Sequence, residues 1–327
     1  MPKFVRILVF AIIQLVFFPI TIIGAILFDI VFLLSVRGKK LSLTAYDPFR
    51  TRWSLDVLGM REEPATRKIA FALPGMSRIP VWMRYGPRLL AMRLSGFYAG
   101  EYDYPLHQSG SIFGAIGHRT TFFDRTMQGY LDKVEQVVIL GAGWDTRAYG
   151  IARHDGVRVF EVDTVQMQTA KRQALAKANV DTGDVVFATV DFNNESWLDA
   201  LMRVDFDPTK PTYVLWEGVI YYLEPEAAAA TLRTVATELA PGSAIAFDFY
   251  GQHFIDGDTS LFMRFGLWVL QALGEPLLWG INTDHPAEQQ VAAYLEQHGL
   301  ALAAFEPIGK ADESHRADGG LVLAVNA

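Results

Sequence analysis

Short apolar runs alternate with longer amphipathic segments over the second part of the chain. The run Gln136–Leu140 consists of β-branched and aliphatic residues, which is typical of a buried parallel strand. Similar runs follow it, with amphipathic segments between most of them, so the pattern predicts an α/β fold with a seven-stranded sheet and helices on both faces. The predicted strands are Gln136–Leu140, Val157–Val162, Val185–Val190, Pro211–Trp216, Ser243–Tyr250, Leu300–Pro307 and Gly320–Asn326.

The segments between these strands predict helices and one large insertion. Gly251–His285 is rich in Phe, Leu and Trp, and we expect it to form a lid over an apolar substrate. The catalytic domain is predicted to span residues 116–327, with the lid at 251–285. Its predicted helices are Ser109–Asp132 (as one or two helices), Thr146–Arg153, Val165–Asn179, Ser196–Val204, Pro225–Leu239 and Pro286–His298.

The N-terminal segment Ile7–Val36 is almost unbroken apolar sequence. As a straight helix it is about 45 Å long, against a hydrocarbon core about 30 Å thick. This length disfavours a cleaved signal peptide and a buried helix of a soluble protein. The segment therefore predicts a hydrophobic membrane anchor over residues 1–40. Gln14, Thr21 and Asp29 lie on one side of its helical wheel and are expected to face protein rather than lipid.

Two arrangements of this anchor are compatible with the sequence. Pro19 and Gly24 allow either a tilted single span or a re-entrant hairpin. The basic run Arg37–Lys40 favours a cytoplasmic catalytic domain after the anchor. Lys3 and Arg6 at the other end weaken this signal, and a hairpin would place both ends in the cytoplasm. We expect a membrane-anchored protein whose catalytic domain is cytoplasmic.

Charge is distributed unevenly along the chain. Residues 1–100 contain fourteen Lys and Arg against five Asp and Glu, whereas the whole chain has a net charge of −7. Residues 41–115 are therefore predicted to form a basic helical cap at the interface of an anionic membrane, where basic and large apolar side chains are interleaved. The alternative is a cap packed on the core with solvated arginines. A nucleic-acid partner is disfavoured, because the basic part adjoins the anchor and the rest of the chain is acidic.

A glycine turn follows the first predicted strand directly. Gly141 and Gly143 flank Ala142, so the backbone can turn sharply and leave room for a ligand against the main chain. The second strand leads to Asp163, about twenty residues after the glycines, where an acidic residue binds ribose hydroxyls in doubly wound sheets. The turn and the acid together predict a nucleoside-containing cofactor.

The residues after the glycines distinguish between cofactors. A dinucleotide site needs a third glycine so that its helix approaches the pyrophosphate, and this position is Thr146. Asp145 places a carboxylate near the predicted helix N-terminus, where a pyrophosphate would be repelled. A nucleoside without phosphates fits better, and S-adenosyl-L-methionine is such a ligand. An NAD-dependent oxidoreductase is therefore disfavoured.

Polar and aromatic residues also follow the third and fourth strands. Asp191 is suited to accept a hydrogen bond from an adenine amino group, and Phe192 can pack on the ring. Glu217 and Tyr222 follow the central strand and face the point where a methyl group would be transferred. Arg119 lies just before the first strand and can direct a bidentate guanidinium at the carboxylate of the cofactor.

Five motifs in order resemble the leucine carboxyl methyltransferase-like family of S-adenosylmethionine-dependent methyltransferases, particularly its bacterial branch. They are HRTTFFD, VVILGAGWDTRAY, VFEVD, TVDF and WEGVIYYL, and the resemblance covers about residues 109–326. The resemblance implies a class I methyltransferase (Rossmann-like) sheet. The apolar N-terminus differs from the soluble members, which disfavours a protein substrate and favours a lipophilic small molecule. By resemblance, Arg119 binds the carboxylate of the cofactor, Gly141 lines the cofactor with Ala142 and Gly143 beside it, Asp163 holds the ribose, Asp191 and Phe192 hold the adenine, and Glu217 binds the methionine amino group.

The leading hypothesis is a membrane-anchored O-methyltransferase that acts on a carboxylate or hydroxyl of a lipophilic small molecule. A carboxylate acceptor needs no general base, whereas a hydroxyl acceptor does. Tyr222 and Arg119 are the predicted catalytic residues, and Tyr221 and His253 are further candidates for substrate contact. The alternative is a membrane-tethered binding protein that keeps the fold without catalysis. The chain has no cysteine and no His and acid pairs with ligand spacing, so no metal site is predicted.

Overall fold

The computed structural model describes residues 1–39, 41–98, 102, 104–107, 115–312 and 315–326. Lys40 of the basic run and the start of the predicted helix Ser109–Asp132 lie outside the described residues. Seven strands form one sheet in the order β3-β2-β1-β4-β5-β7-β6. The strands are β1 Gln136–Leu140, β2 Arg158–Asp163, β3 Val186–Thr189, β4 Thr212–Trp216, β5 Ala244–Tyr250, β6 Leu300–Ile308 and β7 Gly319–Asn326.

Strands β1 to β5 pair in parallel, and β7 runs antiparallel between β5 and β6. Every residue of β1 is buried, because helices cover both faces of the sheet. Val137 and Ile139 contribute to the core on one face, whereas Val138 and Leu140 contribute to the core on the other. The predicted seven-stranded α/β fold is therefore confirmed.

The helices of the described residues follow the predicted order with small shifts at their ends. The lid insertion contains two of them, Gln252–Ile255 (α9) and Leu261–Ala272 (α10). The helices are α1 Lys3–Val36, α2 Tyr46–Leu58, α3 Pro64–Ile69, α4 Arg78–Ser95, α5 Ala115–Tyr130, α6 Val165–Lys177, α7 Trp197–Met202, α8 Pro225–Glu238, α9 Gln252–Ile255, α10 Leu261–Ala272 and α11 Ala287–Glu296.

The predicted helix Thr146–Arg153 is wrong. Only a single 3-10 turn, Arg147–Tyr149, forms there. The Asp145 carboxylate accepts a hydrogen bond from the Arg147 amide (2.7 Å), a local bond that competes with helical pairing. No α-helix therefore begins beside Asp145, because the segment continues as a tight loop.

The apolar N-terminal segment is one continuous helix, so the re-entrant hairpin is wrong. Helix α1 runs from Lys3 to Val36 with Pro19 inside it. Phe28, Phe32 and Val36 are buried in the same core as the sheet residues Val137 and Ile139. The division into an anchor (1–40), a cap (41–115) and a catalytic domain (116–327) stays a prediction, and the last turns of α1 already belong to the core of the domain.

Candidate active site

A cavity of about 440 Å³ opens at the carboxyl ends of β1, β2 and β4, where ligands bind in doubly wound sheets. The cap and the lid cover it from the other side, through Ala45 and Pro48 and through Leu270 and Leu278. Seven of the predicted site residues line this cavity: Arg119, Gly141, Gly143, Asp163, Phe192, Glu217 and Tyr222.

Gly141 keeps the backbone open for a ligand. Its φ is +65°, a conformation that favours glycine, and a Cβ atom added there would lie 2.3 Å from Cγ2 of Val219. The loop after β4 therefore approaches the glycine turn as closely as a residue without a side chain permits. A larger residue at position 141 would have to displace Val219 into the cavity.

The carboxylate of Asp163 is held by backbone amides. Its Oδ2 accepts a hydrogen bond from Gly143 (2.6 Å), and its Oδ1 accepts one from Thr164 (2.6 Å). Burial raises the pKa of Asp163, whereas these amides lower it, and the result is above the ordinary range. Each oxygen keeps a lone pair for a further donor, such as a ribose hydroxyl. Ala142 is buried behind the turn and does not line the cavity.

Two candidates lie apart from the cavity. Asp191 is exposed, and its carboxylate accepts hydrogen bonds from the Asn193 amide (3.2 Å) and the Asn194 side chain (2.9 Å). His253 lies in α9 with Nδ1 3.2 Å from Oγ1 of Thr283, and it is absent from the cavity lining. The adenine role of Asp191 and the substrate contact of His253 therefore stay predictions.

Arg119 and Glu217 meet at the base of the cavity. Nε of Arg119 lies 3.0 Å from Oε1 of Glu217, and an NH1 proton of Arg119 is donated to Oδ2 of Asp248 (2.8 Å). Burial lowers the pKa of Arg119, but Asp248 and Glu217 raise it well above the ordinary range. Burial raises the pKa of Glu217, but the guanidinium of Arg147 and those of its neighbours lower it overall. Both groups are therefore charged at neutral pH.

A larger network of buried ion pairs surrounds this contact and includes residues of the cap. The guanidinium of Arg147 donates to Glu217 (2.6 Å) and Asp124 (2.7 Å) and also pairs with Asp145. A guanidinium nitrogen of Arg52, in α2, lies 3.5 Å from Oε2 of Glu217, the oxygen that accepts from Arg147. In the described part of the chain, this network joins five carboxylates to four guanidiniums: Glu63, Asp124, Asp145, Glu217 and Asp248 with Arg52, Arg61, Arg119 and Arg147.

The base of the cavity has the hydrogen-bonding capacity that S-adenosylmethionine requires. Nε of Arg119 and Oε1 of Glu217 are both buried and form an ion pair, but the geometry of this contact is not that of a hydrogen bond. Neither atom therefore has a hydrogen-bond partner among the described residues. A buried donor and acceptor without hydrogen bonds cost free energy unless a ligand supplies their hydrogen-bond partners. A methionine carboxylate suits the free donor and its amino group suits the free acceptor. The excess of one carboxylate in the network also favours a ligand with a net positive charge.

Sequence reasoning missed several residues of this site. Asp248 interrupts the apolar strand β5, and a carboxylate inside a buried strand was an available signal. Arg52 lies among the aromatic residues of α2 and gave no such signal, because its partners are distant in sequence. Glu275 of the lid accepts hydrogen bonds from the amides of Leu43 (2.7 Å) and Thr44 (3.0 Å), which attaches the lid to the segment after α1.

An aromatic cluster adjoins the charged end of the cavity, since the Tyr221 hydroxyl donates to Oδ2 of Asp248 (3.3 Å). The rings of Tyr221 and Tyr222 meet edge to face with centroids 4.8 Å apart, and Tyr250 packs at the same distance on Tyr221. Burial raises the pKa of all three phenols, so they remain protonated at neutral pH. Leu270, Pro276 and Leu278 of the lid form an apolar part of the lining. The cavity therefore joins a charged end at the sheet to an apolar part of the lining under the lid.

Comparison with known proteins places these features in one family. The family model of leucine carboxyl methyltransferase matches residues 100–236. A protein of Streptomyces avermitilis assigned as an S-adenosyl-L-methionine-dependent methyltransferase is 30% identical over 217 residues, which cover 63% of this chain and 73% of that protein. A protein of Mycolicibacterium gilvum with the same assignment is 35% identical over 179 residues, which cover 54% of this chain and 55% of that protein. The chain thus spans about half the length of this second relative.

A solved structure shows the same fold at low sequence identity. The crystal structure of a protein from Thermobifida fusca assigned as a methyltransferase superposes with a TM-score of 0.50 at 14% identity. The superposition covers 89% of this chain and 97% of that chain. The seven-stranded sheet with its helical N-terminal part is therefore a known architecture, and at this identity the likeness concerns the fold alone.

Proposed function

The chain belongs to the leucine carboxyl methyltransferase family of S-adenosyl-L-methionine-dependent methyltransferases, and from this premise we propose that it methylates an oxygen of a lipophilic, membrane-associated small molecule. The cofactor is S-adenosyl-L-methionine, which supplies an electrophilic methyl group. What the protein contributes to such a displacement is positioning and electrostatics.

The charged end of the cavity supports the binding roles. Arg119 binds the cofactor carboxylate, and Glu217 binds the amino group beside it. Asp163 accepts hydrogen bonds from the ribose, with Gly141 and Gly143 leaving room for the main-chain approach. These roles direct the methyl group toward the apolar part of the lining under the lid.

The chemistry of the lining favours a carboxylate acceptor over a hydroxyl acceptor. No histidine is present in the lining of the cavity among the described residues. The Tyr222 phenol is protonated at neutral pH because its burial raises its pKa, so it can donate a hydrogen bond but does not take up a proton. Glu275 already accepts two backbone hydrogen bonds. A carboxylate needs no deprotonation, and Tyr222 is suited to orient it.

The surface near the cavity supports a lipophilic, membrane-associated acceptor. The helix α10, which contributes Leu270 to the lining, exposes Leu261 (82%), Phe265 (60%) and Trp268 (60%). Within the described residues, α1 is the single helix whose length and composition suit a membrane span. A membrane-anchored protein with its catalytic domain in the cytoplasm, where the cofactor is made, is consistent with both features.

The observation that carries this proposal is the cavity itself, where the Arg119–Glu217 ion pair has no hydrogen bond at Nε or Oε1 and lid side chains complete the lining. The test uses the full chain in detergent with methyl-tritiated cofactor and a lipid extract. We expect labelled product in the organic phase that releases labelled methanol in mild alkali, as a methyl ester does. Label that resists alkali would indicate an ether and would overturn the preference for a carboxylate.

The same experiment separates the alternative of a non-catalytic binding protein. Saturable cofactor binding without transfer to the lipid extract or to other membrane components would favour that alternative. Loss of cofactor binding on substitution of Arg119, with no product in either case, would leave the binding roles standing and remove the transferase activity.

A further inference from the structure

Helices α1 and α4 form an antiparallel pair along most of their length. A Cβ atom added to Gly24 of α1 would lie 2.5 Å from Cβ of Met83 in α4, so the backbones approach closely. Of the three polar residues predicted to face protein, Gln14 contacts α4, and Thr21 bonds to the Phe17 carbonyl of its own helix (3.1 Å). Asp29 pairs with Arg84, but its side chain remains exposed. Three polar contacts are spaced along the pair: Arg6 to the Gly96 carbonyl (3.4 Å), Gln14 to the Pro87 carbonyl (3.1 Å) and Arg84 to Asp29 (2.6 Å).

The C-terminal end of α1 packs in the core of the domain, and its N-terminal end contacts the cap. At its C-terminal end, Val36 is buried in the core of the domain. At its N-terminal end, Arg6 contacts Gly96, and the chain then reaches Tyr104, whose hydroxyl donates to Oδ2 of Asp124 (2.9 Å) in the ion-pair network. Tyr104 lies eight residues after Gly96, a reach of at most about 28 Å.

This reach is incompatible with a perpendicular span. The hydrocarbon core is about 30 Å thick, which exceeds this reach. If α1 crossed the bilayer, Gly96 would lie on the far side with Arg6, and the chain could not return to the domain at Tyr104. Helix α4 would also carry Arg84 and Arg88 into the hydrocarbon, at about 2.5–3.5 kcal/mol for each arginine.

The outer face of α1 is nevertheless apolar along its whole length. Exposed side chains extend from Phe4 (74%) through Leu15 (76%) to Leu34 (68%). Residues 1–39 and 77–98, which form the pair, contain eight Lys and Arg and one Asp. Covering this face with a second copy would bring two strongly basic surfaces together, which costs free energy, whereas an anionic lipid surface complements them.

We infer that α1 lies in the plane of the membrane, with its outer face below the headgroups and α4 above it at headgroup depth. The protein is thus embedded in one leaflet and does not span the bilayer. This inference rests on the membrane association in the proposed function and specifies its geometry. An exposed apolar helix flanked by basic residues is the composition of such interfacial helices.

This arrangement gives the acceptor a route from the leaflet to the cavity. A groove of about 640 Å³ is lined by Leu33 and Val36 of α1, by Leu273 of the lid and by Asp163 and Met167 of the active site. The last two residues also line the cavity, so the groove and the cavity adjoin each other. An amphipathic acceptor can therefore keep its apolar part in lipid near the end of α1 while its polar group enters the site.

The test exploits the absence of native cysteine. Single-cysteine variants Lys3→Cys at the start of α1 and Gln173→Cys on the exposed face of α6 are labelled with a membrane-impermeant maleimide in sealed inverted membrane vesicles. We expect both to react to a similar extent without detergent, because both lie on the same side. Reaction of Lys3→Cys only after permeabilisation, with Gln173→Cys already labelled, would demonstrate a span and overturn the inference.

A depth measurement completes the test. A fluorophore is attached to Leu8→Cys, Leu15→Cys or Ile26→Cys, and each variant is bound to anionic vesicles whose lipids are brominated at one shallow position. We expect the extent of quenching to agree within about twofold among the three variants. A spanning helix would give a minimum of shallow quenching at Leu15. A chain that stays in solution as a dimer would show that a second copy covers α1. Neither readout requires methyl transfer, so failure of the proposed activity is recognised separately.

Discussion

Nε of Arg119 lies 3.0 Å from Oε1 of Glu217, yet neither atom has a hydrogen-bond partner among the described residues. We therefore expect Arg119→Lys to weaken S-adenosylmethionine binding by more than about tenfold, because one ammonium replaces a planar fork of donors. Isothermal titration measures the affinity. Arg125→Lys is the control, since Arg125 lies on the same helix and pairs with Glu306 at the surface. Equal affinities for the two variants would contradict the assignment.

Gly141→Ala should reduce cofactor binding strongly, because its Cβ atom would lie 2.3 Å from Val219 at a φ of +65°. Gly129→Ala is the matched control, since its Cβ atom would meet nothing within 4 Å on helix α5. A helical Gly→Ala exchange should stabilise by about 0.5–1 kcal/mol. Thermal melting with and without cofactor measures both. If Gly141→Ala kept the cofactor-induced shift in melting temperature, the close approach at the turn would be unimportant.

Asp163→Ala should lower cofactor affinity by more than about tenfold, because the ribose loses its acceptor. The amides of Gly143 and Thr164 also lose their partner, so we expect the free energy of unfolding to fall by about 1–3 kcal/mol without loss of the fold. Asp155→Ala, exposed before the other end of β2, serves as the control. Titration and melting curves separate the two effects, and unchanged affinity would show that Asp163 does not contact the cofactor.

Acid should destabilise the protein through Asp124. Burial opposes its ionised form, but Arg61 and Arg147 lower its pKa from 3.8 to about 2. The contribution to stability is therefore complete above pH ~4 and is lost as the pH falls through about 2, by about 2 kcal/mol. Melting curves between pH 5 and pH 2 should show a smaller loss for Asp124→Asn than for the native chain. Equal pH profiles would contradict this role.

Glu275→Ala should loosen the lid, because the carboxylate accepts the amides of Leu43 and Thr44. We expect faster hydrogen exchange of α10 and a raised KM for the acceptor, with little change in cofactor affinity. Glu288→Ala, exposed on α11, is the control. Unchanged exchange of α10 in Glu275→Ala would show that other contacts hold the lid closed.

The strands and most helices could be predicted because their signals are local. A parallel strand buried on both faces reads as an apolar run, and β1 and β4 follow such runs closely. The prediction of a helix after the glycine turn was wrong, although its cause is also local. The Arg147 amide bonds to the Asp145 carboxylate in place of a helical partner, and hydrophobic periodicity does not reveal such a bond.

The candidate site was predictable only in part. Gly141 and Asp163 follow strand ends, where doubly wound sheets bind ligands, and both line the cavity. The partners of Glu217 come from α2, α5 and the turn after β1, so no pattern along the chain pairs them. The sequence also predicted one long apolar helix at α1, whereas its contact with α4 is a property of the folded chain.

The burial of Phe28, Phe32 and Val36 in the domain core has a consequence for processing. A protease that cut the linker just after α1 would not release a freely diffusing enzyme, because the severed helix would remain clamped by its packing. A shortened gene that starts beyond this helix would encode a domain whose hydrophobic core is exposed where these three side chains pack. An intact domain therefore requires this helix, whether or not the chain is cut after it.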